Sequence, residues 1–229
     1  LRAAAARQPL LLSFYFTIIR HTAQLAKVRE ICYHKDSFIG RKELFPMKKV
    51  LVGGVLPASE ISLGCFRLHT ADKARAAALI GAALEEGIDF FDNADIYGGG
   101  RCEEMFAEAI GMCPDVREKI LIQTKCGIRP GYYDFSREHI LESVEGSLRR
   151  LKTDYIDVLL LHRPDTLMEP DEVAEAFDRL HRTGKVRYFG VSNFSPLQME
   201  LLKKALHQPL LVNQLQFGPA HTGMIDAGI

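Results

Sequence analysis

The sequence has little that would indicate a metal site, a disulfide framework or a membrane anchor. Its eight histidines include no H-E-x-x-H pattern or other close ligand pair, so no metal site is predicted. Its five cysteines are odd in number and contain no C-x-x-C pair, which favours a reducing compartment and predicts a cytoplasmic protein. The apolar run over residues 10–19 is too short to span a bilayer.

Neither positive nor negative charge is in excess. The 29 Lys and Arg residues balance 29 Asp and Glu residues, so neither nucleic acid nor a membrane surface is implied as a partner. A hydrophobic content of 47% and a charged content of 25% are ordinary for a globular protein. The 229 residues suffice for one large domain or two small ones.

Residues 1–46 differ in composition from the rest of the chain. They carry eight Lys or Arg residues against three acids and show no strand and helix period. A targeting segment, a structural extension, or upstream sequence translated ahead of a start at Met47 would each explain them. We favour the third explanation and expect this N-terminal extension to lie outside the fold and to carry no chemistry. The fold is then expected to occupy residues 47–229.

From Met47 onward the pattern becomes regular. Residues 50–56 predict a hairpin, because Gly53 and Gly54 tolerate the positive φ of a tight turn. Strand candidates then recur about every thirty residues and alternate with helical patterns, which predicts βαβ units and a parallel sheet. These candidates begin near Ile61, Asp89, Ile120, Ile156, Arg187 and Leu210. The helices are predicted over residues 72–86, 101–110, 136 onward with Ser136 as its cap, 170 to near Gly184, and 195–207.

Two parallel architectures compete for this pattern, the doubly wound sheet and the (β/α)8 TIM barrel. The first strand, residues 61–67, has one glycine and lacks G-x-G-x-x-G, which argues against a Rossmann site. Polar residues also stand at the C-terminal ends of successive predicted strands. In a barrel all these ends lie on the face that holds active sites. They are Asp92, Lys125, His162, Ser192, Asn193 and Gln214. We therefore predict a barrel, incomplete here because residues 47–229 supply about six of its eight units.

Four of the predicted site residues suit proton transfer: Asp92, Tyr97, Lys125 and His162. A free tyrosine has a pKa of about 10, and a neighbouring ammonium would lower it by favouring the phenolate. An aspartate beside the lysine would hold the ammonium charged and in place. A histidine nearby would donate a hydrogen bond to a substrate carbonyl, so the set predicts a general acid aimed at an oxygen that becomes an alkoxide.

The motifs around these residues resemble the aldo-keto reductases. Five motifs carry the resemblance, in order along the chain: residues 87–98 (G-I-D-F-F-D-x-A-x-x-Y-G), Thr124-Lys125, residues 157–164 (D-x-L-L-L-H-x-P), residues 190–194 (G-x-S-N-F) and Asn213-Gln214. The resemblance covers about residue 48 to the end. It implies a (β/α)8 barrel that reduces an aldehyde or ketone with NADPH, a small-molecule carbonyl compound being the substrate.

The resemblance also implies a role for each site residue. Tyr97 would be the proton donor, Lys125 and Asp92 would tune it, and His162 would orient the carbonyl. Ser192, Asn193 and Gln214 would hydrogen-bond the nicotinamide carboxamide. Cys65, Phe66, Arg67 and Arg163 are candidates for the pocket wall. The family's remaining two units hold the adenosine ribose phosphate and the pyrophosphate, so their lack here is expected to weaken cofactor binding.

Two alternatives stay open at this point. The same barrel serves in the family as a non-catalytic, nucleotide-sensing or regulatory subunit, and a truncated chain would be an inactive fragment. The intact set of Asp92, Tyr97, Lys125 and His162 favours the enzyme. The sequence specifies neither the physiological substrate nor the oligomeric state.

Overall fold

The computed structural model describes residues 47–226. The strands of this part of the chain are β1 (Lys49–Val52), β2 (Leu56–Ser59), β3 (Leu63–Gly64), β4 (Phe90–Asp92), β5 (Leu121–Cys126), β6 (Ile128–Arg129), β7 (Tyr132–Tyr133), β8 (Ile156–Leu161), β9 (Val186–Ser192) and β10 (Leu210–Gln214). The helices are α1 (Lys73–Glu85), α2 (Arg101–Ile110), α3 (Pro114–Arg117), α4 (Arg137–Leu151), α5 (Pro170–Arg182), α6 (Pro196–Ala205) and α7 (Gly223–Asp226). Two 3₁₀ turns, Leu68–Thr70 and Tyr97–Gly100, precede α1 and α2.

Six parallel strands form one sheet, in the order β3, β4, β5, β8, β9, β10. The order follows the chain without reversal, whereas a doubly wound sheet reverses at a switch point. Each strand returns to its neighbour through a helical crossover, and the sheet curls as part of a barrel does. The prediction of about six barrel units is therefore confirmed within residues 47–226.

The helices begin where the sequence predicts them. Asp72 caps α1 by accepting a 2.8 Å hydrogen bond from the Arg75 amide. Ser136 caps α4, and Ser195 forms a reciprocal capping box with Gln198 at the start of α6. Helices α5 and α6 each end two residues or so before the predicted stop. Local capping chemistry, readable from the sequence, thus places the helices that return each strand to the sheet.

The hairpin of β1 and β2 packs on the inner face of the curled sheet. Val52 and Leu56 belong to one buried cluster with Phe90, Leu160 and Leu211 of the sheet strands. Gly53 and Gly54 turn the chain with φ angles of 58° and 79°, as predicted. Larger apolar clusters fill the space between the outer face of the sheet and the helices. With both faces of the strands covered by apolar packing, polar side chains gather at the strand ends.

Some elements were not predicted. The two-residue strands β6 and β7 pair as a hairpin after β5, and α3 is a single turn that begins at Pro114. Elements this short show no periodicity that a sequence pattern would reveal. Within residues 47–226, no helix is both long and apolar enough to cross a membrane. The N-terminal extension of residues 1–46, and the expectations about it, lie outside the described residues.

Candidate active site

The four residues predicted for proton transfer lie together at the carboxyl ends of neighbouring strands. Asp92 is the last residue of β4, Lys125 lies near the end of β5, and His162 follows β8 directly. Tyr97 lies in the 3₁₀ turn after β4 and reaches back over these tips. All four side chains are buried or nearly so. Parallel pairing of adjacent strands brings these tips to one edge of the sheet.

Lys125 stands at the centre of the group and is fully buried. Its Nζ donates to Asp92 Oδ1 at 2.6 Å, to the Asn93 carbonyl oxygen at 2.9 Å and to the Tyr97 hydroxyl oxygen at 3.0 Å. An ammonium group has three N–H donors, and here three acceptors surround it. The charge is therefore paired and its position is fixed, as a buried charge requires.

Asp92 has partners on both carboxylate oxygens. Gln123 Nε2 donates to its Oδ1 at 2.6 Å, and Gln214 Nε2 donates to its Oδ2 at 3.2 Å. Hydrogen bonds of this kind hold a carboxylate in one orientation. Asp92 thus joins the Lys125 end of the site to the end of β10.

Tyr97 lies against aromatic rings on two sides. The Phe66 ring meets it edge-on at a centroid distance of 4.9 Å, and the His162 ring meets it edge-on at 5.7 Å. Gly98, Gly99 and Gly100 follow with φ angles of 59°, 64° and 91°, which turn the chain sharply into α2. The phenol is thereby held over the strand tips by packing.

His162 is held in its neutral form. Burial, and then the nearby Lys125 and Arg163 cations, lower the pKa of His162 from its usual value of 6.5 to about 3. A neutral imidazole carries one N–H donor and one acceptor nitrogen. Its Nδ1 atom is buried and has no hydrogen-bond partner among the described residues. The ring is therefore an uncharged hydrogen-bonding group whose centroid lies 5.7 Å from that of the Tyr97 ring.

The three residues predicted to hold the nicotinamide form a second, linked group. Ser192 Oγ donates to the Gln214 carbonyl oxygen at 3.1 Å, and Asn193 Nδ2 donates to Ser192 Oγ at 2.9 Å. Asn193 has a φ of 60°, in the left-handed region that Asn tolerates. These residues present amide and hydroxyl donors and acceptors at the ends of β9 and β10, next to Asp92. That donor set fits a primary carboxamide, which both donates and accepts hydrogen bonds.

Three neighbouring groups were not predicted as site residues from the sequence. Gln123 contacts Asp92, the Asn93 carbonyl contacts Lys125, and Asn213 pairs with the backbone of Phe194. Gln123 lies two residues before Lys125 on β5, so strand alternation places both on one face and was a usable signal. The role of a backbone carbonyl leaves no sequence signal.

The four candidates for the pocket wall differ in their exposure and in their contacts. Phe66 is 48% exposed while its ring packs against Tyr97, so it presents an apolar surface beside the hydroxyl. Cys65 is buried in the cluster that contains Tyr97, and burial raises its pKa above the usual thiol range. Arg67 lies over the Phe66 ring, and Arg163 acts on the pKa of His162. Phe66 is therefore the member of this set best placed to touch a substrate.

A groove of about 650 Å³ lies apart from the site, between α1 and α2. Lys73, Met105 and Lys152 are among its lining residues. It shares no lining residue with the site. In the part of the chain from 47 to 226, His, Cys, Asp and Glu side chains form no group of three able to hold a metal ion.

Comparison with known proteins finds relatives of this chain. A model of the Aldo/keto reductase family matches residues 60–226. An oxidoreductase of Escherichia coli, YdhF, is 47% identical over 153 residues, which cover 63% of this chain and 51% of that protein. A 6-dehydroglucose reductase of Agrobacterium fabrum is 40% identical over 195 residues, which cover 80% of this chain and 66% of that protein.

A solved structure shows the same fold. An aldo-keto reductase from Bacillus halodurans in its holo form matches with a TM-score of 0.68 and 34% identity, over 75% of this chain and 58% of that one. The chain thus spans roughly half to two thirds of the length of the relatives that it matches.

Proposed function

This chain belongs to the aldo/keto reductase family, and we propose that the protein reduces an aldehyde or ketone to an alcohol with NADPH. One observation carries the proposal. The Tyr97 hydroxyl oxygen lies 3.0 Å from an ammonium nitrogen that is itself 2.6 Å from a carboxylate oxygen. A phenol held this way is arranged to give up a proton.

Tyr97 is the proposed proton donor. Its oxygen accepts a hydrogen bond from Lys125, so its own hydrogen is not directed at the lysine. A carbonyl oxygen placed beside the hydroxyl would receive that proton as its negative charge develops. General acid catalysis of this kind is worth about 10²- to 10⁴-fold in rate.

Lys125 and Asp92 support the proton donor. When the proton leaves, a phenolate remains 3.0 Å from the Lys125 ammonium, which stabilises it by direct charge attraction. Asp92 pairs with the ammonium and fixes its position in a buried site. Because these groups are already in place, no reorganisation is needed as the charge forms.

His162 is the proposed orienting group. With a pKa of about 3, it is neutral throughout the physiological range and donates a hydrogen bond without adding charge. A neutral donor beside Tyr97 would direct the carbonyl oxygen towards the phenol. Phe66 would form an apolar wall next to this position, which suits the carbon side of a carbonyl compound.

Ser192, Asn193 and Gln214 are proposed to hold the nicotinamide carboxamide. NADPH supplies the hydride when it is bound. The side chains of these three residues would orient the nicotinamide ring. They lie next to Asp92, because Gln214 Nε2 donates to its Oδ2 at 3.2 Å. The preference for NADPH over NADH comes from the family and is part of the proposal.

A cytoplasmic location is also proposed. Cys65, Cys102, Cys113 and Cys126, the cysteines of the described part of the chain, are all free thiols. Free thiols suit a reducing compartment.

The test is multiple turnover. The purified protein is incubated with NADPH or NADH and a panel of aldehydes and ketones, and loss of the reduced nicotinamide absorbance is followed. We expect many turnovers per protein molecule with NADPH and fewer with NADH. Cofactor binding without multiple turnover would instead support the nucleotide-sensing or regulatory alternative, and absence of both binding and turnover would contradict the proposal and agree with an inactive fragment.

A further inference from the structure

Asp95 lies behind the site, two residues before Tyr97, and the mechanism proposed above does not use it. Its amide donates to the Lys125 carbonyl oxygen at 3.0 Å. The Tyr97 amide donates to the Ala94 carbonyl oxygen at 3.1 Å, which starts the turn that carries the phenol. Residues 94 and 95 together therefore link the backbone of the site lysine to the backbone of the site tyrosine.

The other end of the same segment is held by Glu103, in the first turn of α2. Glu103 is fully buried, and its two oxygens accept hydrogen bonds from Thr124 Oγ1 at 2.6 Å and Arg150 Nε at 2.7 Å. Arg150 comes from α4, across the helix layer. The segment from Asp95 to Glu103 thus has a carboxyl group at each end.

Arg150 also touches the middle of this segment. A Cβ atom built on Gly100 would come within 2.8 Å of the Arg150 side chain, so the two pack closely at the end of the Tyr97 turn. Glu103 and Arg150 are near enough to Asp95 to act on its pKa. One arginine therefore faces both carboxyl groups and the turn between them.

We infer that Asp95 is a positioning residue for Tyr97, because its carboxyl group joins a partly buried cluster with Glu103, Arg150 and Ser143 and so fixes the turn that carries the phenol. The inference rests on the proposed role of Tyr97 as the proton donor. These four residues form the Asp95 cluster.

The charges of the Asp95 cluster balance in one protonation state. Glu103 and Arg150 form an ion pair, so a neutral Asp95 leaves no net charge, whereas an ionised Asp95 adds an unpaired negative charge beside Glu103. The Oδ1 atom of Asp95 is buried without a hydrogen-bond partner among the described residues, which costs less for a neutral carboxyl than for a carboxylate.

The pKa of Asp95 agrees with this placement. Burial and the Glu103 carboxylate raise it from 3.8 to about 7, while Arg150, the Ile96 amide and the Ser143 hydroxyl lower it. Cys126 on β5 also faces Asp95, and burial and that carboxylate raise the pKa of its thiol, so the thiol carries no charge there. Near neutral pH the Asp95 cluster therefore changes its net charge.

The first test follows the turn itself. Amide hydrogen exchange of residues 95–103 is measured about two pH units below and above 7, and corrected for the intrinsic effect of pH. In the wild type we expect protection to fall on the order of tenfold at the higher pH. In Asp95→Asn, whose amide resembles the neutral acid, protection should stay constant. Glu104→Gln, on the solvent side of the same helix, is the matched control and should behave as the wild type.

The second test follows turnover. In the wild type, kcat for aldehyde reduction should fall as pH rises through about 7, and this fall should be absent in Asp95→Asn. A merely structural role would instead lower kcat in the variant equally at every pH. If Asp95→Asn does not fold, Ser143→Ala keeps the test open, because removing a hydroxyl that lowers the pKa of Asp95 should move the transition to higher pH.

The outcomes separate this inference from the proposed function. The same pH dependence of exchange in the wild type and Asp95→Asn, or a shift to lower pH in Ser143→Ala, would overturn the positioning role. The expected exchange behaviour without any carbonyl turnover would support the Asp95 cluster and overturn the proposed reduction.

Discussion

The Lys125 ammonium nitrogen lies 3.0 Å from the Tyr97 hydroxyl oxygen, and both groups are buried at the carboxyl ends of parallel strands. The two residues are 28 positions apart, one on a strand and one on the turn before a helix. Asp92 and the Asn93 carbonyl occupy the other two positions around the ammonium. The lysine is therefore aimed at the phenol.

Replacing Tyr97 by phenylalanine should abolish most turnover while leaving the fold intact. The ring keeps its packing against Phe66 and His162, but the proton donor is lost. We expect kcat to fall by about 10²- to 10⁴-fold, with the cofactor dissociation constant nearly unchanged in a fluorescence titration. Tyr132→Phe, at a tyrosine that is 56% exposed, is the control. Undiminished turnover in Tyr97→Phe would contradict the assignment of the proton donor.

Replacing Lys125 by methionine should cost both turnover and stability. The phenolate loses its ammonium, and Asp92 is left as a buried carboxylate without its charge partner, a change that typically costs about 3–5 kcal/mol. Chemical denaturation and steady-state kinetics measure the two losses. The double variant Asp92→Asn, Lys125→Met should recover stability but not turnover. If stability and turnover recovered together, the lysine would act through folding alone.

Replacing His162 by glutamine should weaken the effect of acid on stability. The folded-state pKa of about 3 lies below the unfolded value of 6.5, so the unfolded state binds more protons and stability falls as pH drops from about 6.5 towards 3. Each pKa unit corresponds to about 1.4 kcal/mol, so the wild type should lose roughly 3 kcal/mol more than the variant between pH 7 and pH 4.

Denaturation curves at a series of pH values measure this difference. His221→Gln is the control, because His221 is exposed. Parallel pH profiles for the wild type and His162→Gln would show that His162 is not held neutral by the fold.

Asp157 is predicted to be a stability residue rather than a site residue. It is fully buried, and its carboxylate accepts from Arg117 Nη2 at 2.6 Å and from Arg187 Nη1 at 3.1 Å. Asp157→Asn leaves the buried Arg117 guanidinium without its charge partner, so unfolding should become easier by about 3–5 kcal/mol.

The matched control is Glu175→Gln, which breaks an exposed ion pair with Arg137 and should cost less than about 1 kcal/mol. Urea denaturation measures both variants. Equal small losses would mean that the ion pairs of Asp157 contribute no more to stability than a surface pair does.

Much of the fold was predictable because its signals are local. The capping residues Asp72, Ser136 and Ser195 are each followed by their helix, and the apolar strand runs recur at a regular spacing. The residues at the strand tips were predictable for the same reason, since a polar residue directly after an apolar run marks the end of a strand. Where the signal spans only two residues, as in β6 and β7, prediction failed.

The partners of the site residues were less predictable. The position of Gln123 follows from strand alternation, but the Asn93 carbonyl has no side-chain signature. Glu103 and Arg150 are 47 positions apart and lie on two different helices, so their pairing leaves no local signal. A sequence pattern places each residue on its own element. Contacts between elements depend on how the helices pack on the sheet.

The sequence by itself determined the alternation of strands and helices, the tips at which Asp92, Lys125 and His162 stand, and the motifs that identify the family. Periodicity and capping are properties of a few consecutive residues, so they can be read without the fold. Only the tertiary structure decided that the Lys125 ammonium points at Tyr97, that His162 is buried deeply enough to stay neutral, and that the Glu103 carboxylate pairs with Arg150. Distance, burial and charge pairing arise when elements far apart in the chain meet, and these quantities control the chemistry of the site.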